Sequence, residues 1–212
     1  MSTYLSLAIW WIIFFAIHSI MASSSLKNKI STLHPVFKSY YRLIFNLVST
    51  ILLIPIVYEY FTLPAEALFK TTIVLEIAGV LLSILGFYIV IDGFKNYRTD
   101  EFLGTYQIKN HHDFHPTHLS RAGWNGIVRH PLYFGGIILV IGLFLMVPTI
   151  KLGITNLLVV GYLYIGSIWE EKKLKSEFGS DYIEYKSEVS MLMPIKWVLN
   201  KFGNKESASD SK

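Results

Sequence analysis

At 212 residues, 52% of them hydrophobic and 16% charged, the chain fits one domain, and its mean hydropathy of +0.44 is too apolar for an ordinary water-soluble one. The absence of cysteine excludes disulfides, thiolate nucleophiles and thiolate metal sites. A net charge of +4 would suit nucleic acid, but it is segregated loop by loop as membrane topology requires, and no nucleic-acid-binding module is visible.

Five segments have the length and polarity of spanning helices. The first, Tyr4 to Ala22, carries no formal charge. It begins almost at Met1 without a basic leader and is long enough to span, so it reads as a membrane helix rather than a cleavable signal. His18 lies near its end, where a polar residue faces the bundle interior or simply sits at the interface. The second segment covers about 43–61 and contains Pro55, and the third about 73–94 with Glu76 and Asp92 near its ends. The fourth is Pro131 to about Thr149 and the fifth Leu152 to Trp169. Each is near the roughly 20 residues a bilayer requires. Of the 19 Lys and Arg residues, 17 fall in alternate loops and two, Lys70 and Lys151, on the other side. The positive-inside rule then places the amino terminus outside and the carboxy terminus in the cytoplasm. The expected architecture is all-α and polytopic: five transmembrane helices with cytoplasmic interfacial helices, a multi-pass protein of a bacterial inner membrane. A single domain is expected over 1–200, with a disordered polar tail over 201–212.

The loop from Lys95 to Val128 holds four of the seven histidines, in the run His111 to His118. His and Asp at such spacing suit zinc or iron. Pro116 breaks any helix that would align them and no Cys supports the site, so the loop reads as a lid carrying His115 or His118 as polar contacts, with no metal assigned. Residues 104–107 show no helical or strand pattern.

The fourth segment opens on Arg129-His130-Pro131-Leu132-Tyr133-Phe134-Gly135-Gly136. Pro131 suits the first turn of a helix, the glycines allow a ligand or another helix close to the backbone, and free N–H groups at a helix start favour anions. Two readings follow: a binding site for a charged cofactor, or an interfacial anchor with Tyr133 in the aromatic belt. Because so little chain joins the fourth and fifth segments, they form an antiparallel hairpin. Arg129-His130 and Glu170-Glu171 therefore return to one interface, where two carboxylates facing an Arg and a His either hold a zwitterionic or cationic ligand or pair among themselves. Leu174 and Phe178, then Tyr182 and Tyr185, repeat at helical spacing on either side of Gly179, giving two short amphipathic helices as a side wall. Ser190 to Pro194 closes the folded part. No internal repeat, phosphate loop or Ser-His-Asp ordering is present.

These residues resemble the membrane-embedded methyltransferases of the isoprenylcysteine carboxyl methyltransferase type, through Arg129-His130-Pro131-Leu132-Tyr133-x-Gly135 and Glu170-Glu171-x-x-Leu174-x-x-x-Phe178-Gly179-x-x-Tyr182-x-x-Tyr185. The resemblance covers about 123–194 and implies S-adenosylmethionine as cofactor at the cytoplasmic face, bound by Arg129, His130, Pro131, Leu132, Tyr133, Gly135, Glu170, Glu171, Tyr182 and Tyr185. Arg129 suits the cofactor's carboxylate, Glu170 or Glu171 its ammonium or diol, and Tyr133 and Tyr185 its adenine or sulfonium. His130 and Arg129 are the expected catalytic residues, and because a thiol acceptor would need to lose its proton, His130 or a loop histidine is the candidate base. A narrower resemblance, through His18-Ser19-Ile20-Met21-Ala22, Leu103 to Gln107 and Met191-Leu192-Met193-Pro194, is to the methanethiol S-methyltransferase and NnrU-like branch. Thr105 and Tyr106 stand where that branch is expected to have Leu and Arg. It implies a small thiol acceptor, with His18 and Gln107 as candidate substrate contacts beside His115 of the lid. Phospholipid and isoprenylcysteine acceptors remain alternatives, as does a non-enzymatic accessory protein or transporter. Oligomeric state is left open.

Overall fold

The computed structural model describes residues 2–32, 35–95, 98–111 and 119–201. Among these residues the fold is all-helical, with two isolated β-bridges and no strand. Its named α-helices are α1 (Leu5–Ala22), α2 (Ser24–Ser31), α3 (Pro35–Thr62), α4 (Ile73–Phe94), α5 (Thr99–Leu103), α6 (Thr105–Asn110), α7 (Pro131–Met146), α8 (Ile150–Phe178) and α9 (Ser180–Glu188). Four of them, α1, α3, α4 and α8, are long and apolar enough to cross a membrane. The fifth expected span, α7, is strongly apolar but has 16 residues, about 24 Å of helix against a hydrocarbon core of about 30 Å. The spanning helices are apolar on nearly every face and bury few of those side chains within the protein, as helices solvated by lipid do.

Two compact units make up the chain. One comprises Met1–Ile73, Tyr97–Pro116 and Val147–Val159, the other Val74–Asn96, Thr117–Met146 and Val160–Lys212. In the first, Ser23 ends α1 in an extended conformation and its hydroxyl accepts from the Leu26 N–H at 3.3 Å, capping α2. Residues 104–107, expected to be patternless, are Gly104 at φ +90°, which separates α5 from α6, and the start of α6. A Cβ on Gly104 would meet the Leu43 amide of α3 at 2.9 Å, so glycine is required both for the left-handed turn and for the close approach. Lys151 is buried, and its ammonium donates to the Tyr60 and Leu63 carbonyls at 2.7 and 3.0 Å. It thereby satisfies carbonyls at the end of α3 that have no helical partner.

In the second unit α4 packs on α7 through small residues. A Cβ on Gly79 would stand 2.7 Å from the Gly142 carbonyl, and one on Gly135 2.9 Å from the Gly86 carbonyl. This is close helix approach through small-residue positions. α8 differs from expectation in length. It runs unbroken through Glu170 to Phe178 as 29 residues, so the first of the two expected short helices is its continuation. Gly179 ends it at φ +55° and α9 follows as expected. Residues 195–201 form a further helical turn that the sequence pattern did not signal. Residues 202–212 of the expected tail, and His112 to His118 of the histidine run, lie outside the described residues.

Candidate functional site

Arg129 and His130 are held by their own backbone. The Arg129 amide donates to the Ser190 carbonyl at 2.9 Å and the His130 amide to the Met191 carbonyl at 3.3 Å, beside a parallel bridge between Val128 and Ser190. The His130 carbonyl then accepts the first bond of α7, from Phe134 at 3.0 Å. Pro131, fully buried, fills the first helical position, where its missing N–H leaves nothing unsatisfied.

Against this turn α8 presents its two glutamates. Adjacent helical residues point about 100° apart, and the two acquire different surroundings. Glu171 is nearly enclosed, its side chain 10% exposed. One of its oxygens accepts from both Nε (2.7 Å) and Nη2 of Arg129, and the other faces Lys186 Nζ at 3.0 Å. Arg129 Nη1 donates to the Val189 carbonyl and, at 3.4 Å, to that of Lys186. The guanidinium is thus committed to protein acceptors. Glu170, at 33% exposure, is the more open carboxylate. His130 lies between the two, with Nδ1 3.6 Å from Glu170 and Nε2 3.6 Å from Glu171. Both distances exceed a hydrogen bond, and Nε2 is buried without a hydrogen-bond partner. The imidazole stacks on Tyr133, their rings 5.6 Å apart and 10° from parallel.

Tyr182 and Tyr185 lie beneath this cluster, buried in a core with Val189, Leu119, Leu174 and Phe178. The Tyr185 hydroxyl donates to the Asn125 carbonyl at 2.6 Å. Burial pushes the Tyr185 phenol up to about 12. Tyr182 is raised further, by burial first and then by the Glu171 charge. Arg121 clamps α9 from outside, donating to Glu184 and Glu188 at 3.1 Å and to the Asp181 carbonyl at 3.2 Å.

The residues expected at the site therefore divide. Arg129, His130, Tyr133, Glu170 and Glu171 converge. Tyr182 and Tyr185 support them from within the core rather than offering free ring faces. Leu132 packs near Gly93 and Gly135 faces Gly86 and Ile89, so both serve the α4–α7 crossing. His18 and Gln107 belong to the other unit. There His18 shares a 3.0 Å hydrogen bond with Ser49 and stacks near Phe14 and Phe45, while Gln107 is buried with its carbonyl oxygen unpartnered. His115 lies outside the described residues, and among those described no set of three His, Cys, Asp or Glu is grouped to hold a metal. Lys186, Arg121 and Asn125 went unsignalled in the sequence, because one lysine among many and a main-chain acceptor carry no pattern.

Chemically, the Arg129–Glu171–Lys186 network leaves Glu170 as the more exposed carboxylate, paired with His130 and Tyr133. That carboxylate suits a ligand with cationic or hydroxyl donors. The model of the phospholipid methyltransferase family matches residues 74–181, from α4 through both glutamates. Methanethiol S-methyltransferase 1 of Bradyrhizobium diazoefficiens is 30% identical over 125 residues, 57% of this chain and 42% of that protein. The match thus spans less than half the length of the relative. No solved structure matches.

Proposed function

This chain belongs to the phospholipid methyltransferase family, and from that premise we propose that it is an integral membrane methyltransferase that uses S-adenosylmethionine and acts on a small thiol. The observation that carries the reading is the convergence of Arg129, His130, Tyr133, Glu170 and Glu171 on one turn, with Glu170, beside His130 and Tyr133, the more exposed of the two carboxylates. Bound there, S-adenosylmethionine would supply an electrophilic methyl group. Glu170 would accept from its ammonium or ribose hydroxyls, and Tyr133 would offer an aromatic face to a cation. Arg129 and Glu171 act as positioning residues, joining the turn before α7 to α8 and to the main chain at 186–189. Methyl transfer demands mainly alignment and exclusion of water, which a rigid turn at a membrane surface favours. A thiol acceptor must also lose its proton, and His130 is the base within the cluster.

The proposed topology is five helices, α1, α3, α4, α7 and α8, with the amino terminus outside and the site on the cytoplasmic face of a bacterial inner membrane. The small-thiol acceptor rests on the name of the relative, and the family's description keeps a phospholipid headgroup as the second reading. One assay separates them. The purified protein is incubated with methyl-labelled S-adenosylmethionine and a panel of thiols, bacterial lipids and a farnesyl-cysteine analogue, and label is sorted into volatile and lipid fractions. Volatile product is expected; label confined to lipid would defeat the thiol reading and leave the methyltransferase one intact.

A further inference from the structure

The helical turn 195–201 and the residues leading into it have an unusual surface. Met193, Ile195 and Leu199 each expose more than half of their area, and Trp197 and Val198 more than a third. Ile195, Val198 and Leu199 are spaced three and four apart and form one stripe. The turn is fixed rather than loose. Ser190 Oγ accepts from the Lys196 amide at 3.0 Å, and Lys196 Nζ donates to the Lys186 and Ser187 carbonyls at 2.9 and 2.7 Å. Lys196 is therefore drawn back onto the end of α9, which leaves the apolar stripe on the outside. Lys201 Nζ sits 4.5 Å over the Trp197 ring. A tryptophan beside a lysine, flanking an apolar stripe, is the composition of a membrane–water boundary.

We infer that residues 193–201 are an in-plane membrane anchor that seats in the headgroup–acyl boundary of the bilayer. The occupant follows from continuity. The same compact unit contains the part of α8 from Val160 onward, where Tyr164, Ile165 and Trp169 are exposed as lipid-facing residues are. An amphipathic stripe in a protein already held at that surface buries its apolar area without a protein partner. The anchor is also wired to the candidate site. The carbonyls of Val189, Ser190 and Met191, just before the anchor, accept from the Arg129 side chain, the Arg129 amide and the His130 amide. Seating the anchor thus steadies the Arg129-His130 turn. This second step deepens the proposed function, whereas the anchor itself does not depend on it.

The test uses the full chain in nanodiscs of phosphatidylcholine and phosphatidylglycerol. Because the protein has no cysteine, single nitroxide labels go onto Ile195→Cys, Val198→Cys and Leu199→Cys, with Ile165→Cys as the immersed reference and Lys172→Cys as the aqueous one. Oxygen and a water-soluble nickel chelate report depth. Positions 195, 198 and 199 should resemble 165, with oxygen collisions dominating. Chelate-dominated collisions like those at 172 would overturn the anchor, and so would spin–spin broadening between copies, which would assign the stripe to self-association. Amide exchange then tests the wiring without any ligand. The Ile195→Glu, Leu199→Glu double variant, if still folded by circular dichroism, should exchange the Arg129 and His130 amides about tenfold faster or more. Unchanged exchange in a variant whose anchor has left the membrane would overturn the coupling.

Discussion

At the level of single residues the site rests on an asymmetry between two neighbouring glutamates. Glu171 compensates a buried guanidinium, and removing one partner of such a pair typically costs about 3–5 kcal/mol. Glu171→Ala should therefore lower the melting temperature markedly in a thermal-shift measurement, whereas Glu170→Ala, at a more open position, should leave it nearly unchanged. Equal losses would dissolve the distinction between positioning and ligand-facing carboxylates. The buried phenols give a second check. With Tyr185 pushed up to about 12 and Tyr182 raised further, the folded protein keeps protons that the unfolded chain releases near pH 10. Stability from these groups is fully present below pH 10 and falls as pH rises above it. Ultraviolet titration should show two tyrosines ionising well above the ordinary value near pH 10, or on unfolding. The sequence displayed Arg129-His130-Pro131 and Glu170-Glu171 as motifs and showed that a helical hairpin would bring them together. It could not show which glutamate Arg129 would take, because that depends on how α8 is rotated, nor that Lys186 would complete the network.

Among the elements, the α4–α7 crossing is the most constrained. Gly86 has no room for a side chain between it and the backbone of Gly135 and Leu139, and forcing groups into a packed interface typically costs about 1–3 kcal/mol. Gly86→Leu should reduce thermal stability and folded yield, while Gly161→Leu, where nothing lies within 4 Å of an added Cβ, should be tolerated. Hydropathy located α1, α3, α4, α7 and the part of α8 up to Trp169 from sequence, since a predominantly apolar run of about 20 residues has few other uses. It truncated α8 at Trp169 because hydropathy records where lipid ends, not where hydrogen bonding ends. α5 and α6, of five and six residues, are too short to show a period. Tyr182 and Tyr185 were legible as a helical repeat, yet spacing alone left undetermined whether their rings faced a ligand or the core.

Across the whole molecule, the proposed topology rests on the distribution of charge. Lysines 27 and 29 and the basic residues beyond Trp169 lie on one side of the proposed arrangement, Lys70 and Lys151 on the other. Lys151 is a poor reporter because it is buried against the end of α3; Lys70 and Lys109 are exposed. In intact bacterial cells an impermeant maleimide should label Lys70→Cys and should reach Lys109→Cys only after the membrane is opened. The reverse pattern would invert the topology and put the candidate site on the outer face.

The most direct measurement of the central claim is a calorimetric titration of S-adenosylhomocysteine into the wild-type protein and Glu170→Ala, both in nanodiscs. The wild type should bind saturably, and Glu170→Ala should bind about tenfold more weakly or worse, a loss of about 1.4 kcal/mol, with its melting temperature kept. Absence of binding at millimolar ligand by a wild-type protein that melts cooperatively would contradict the account.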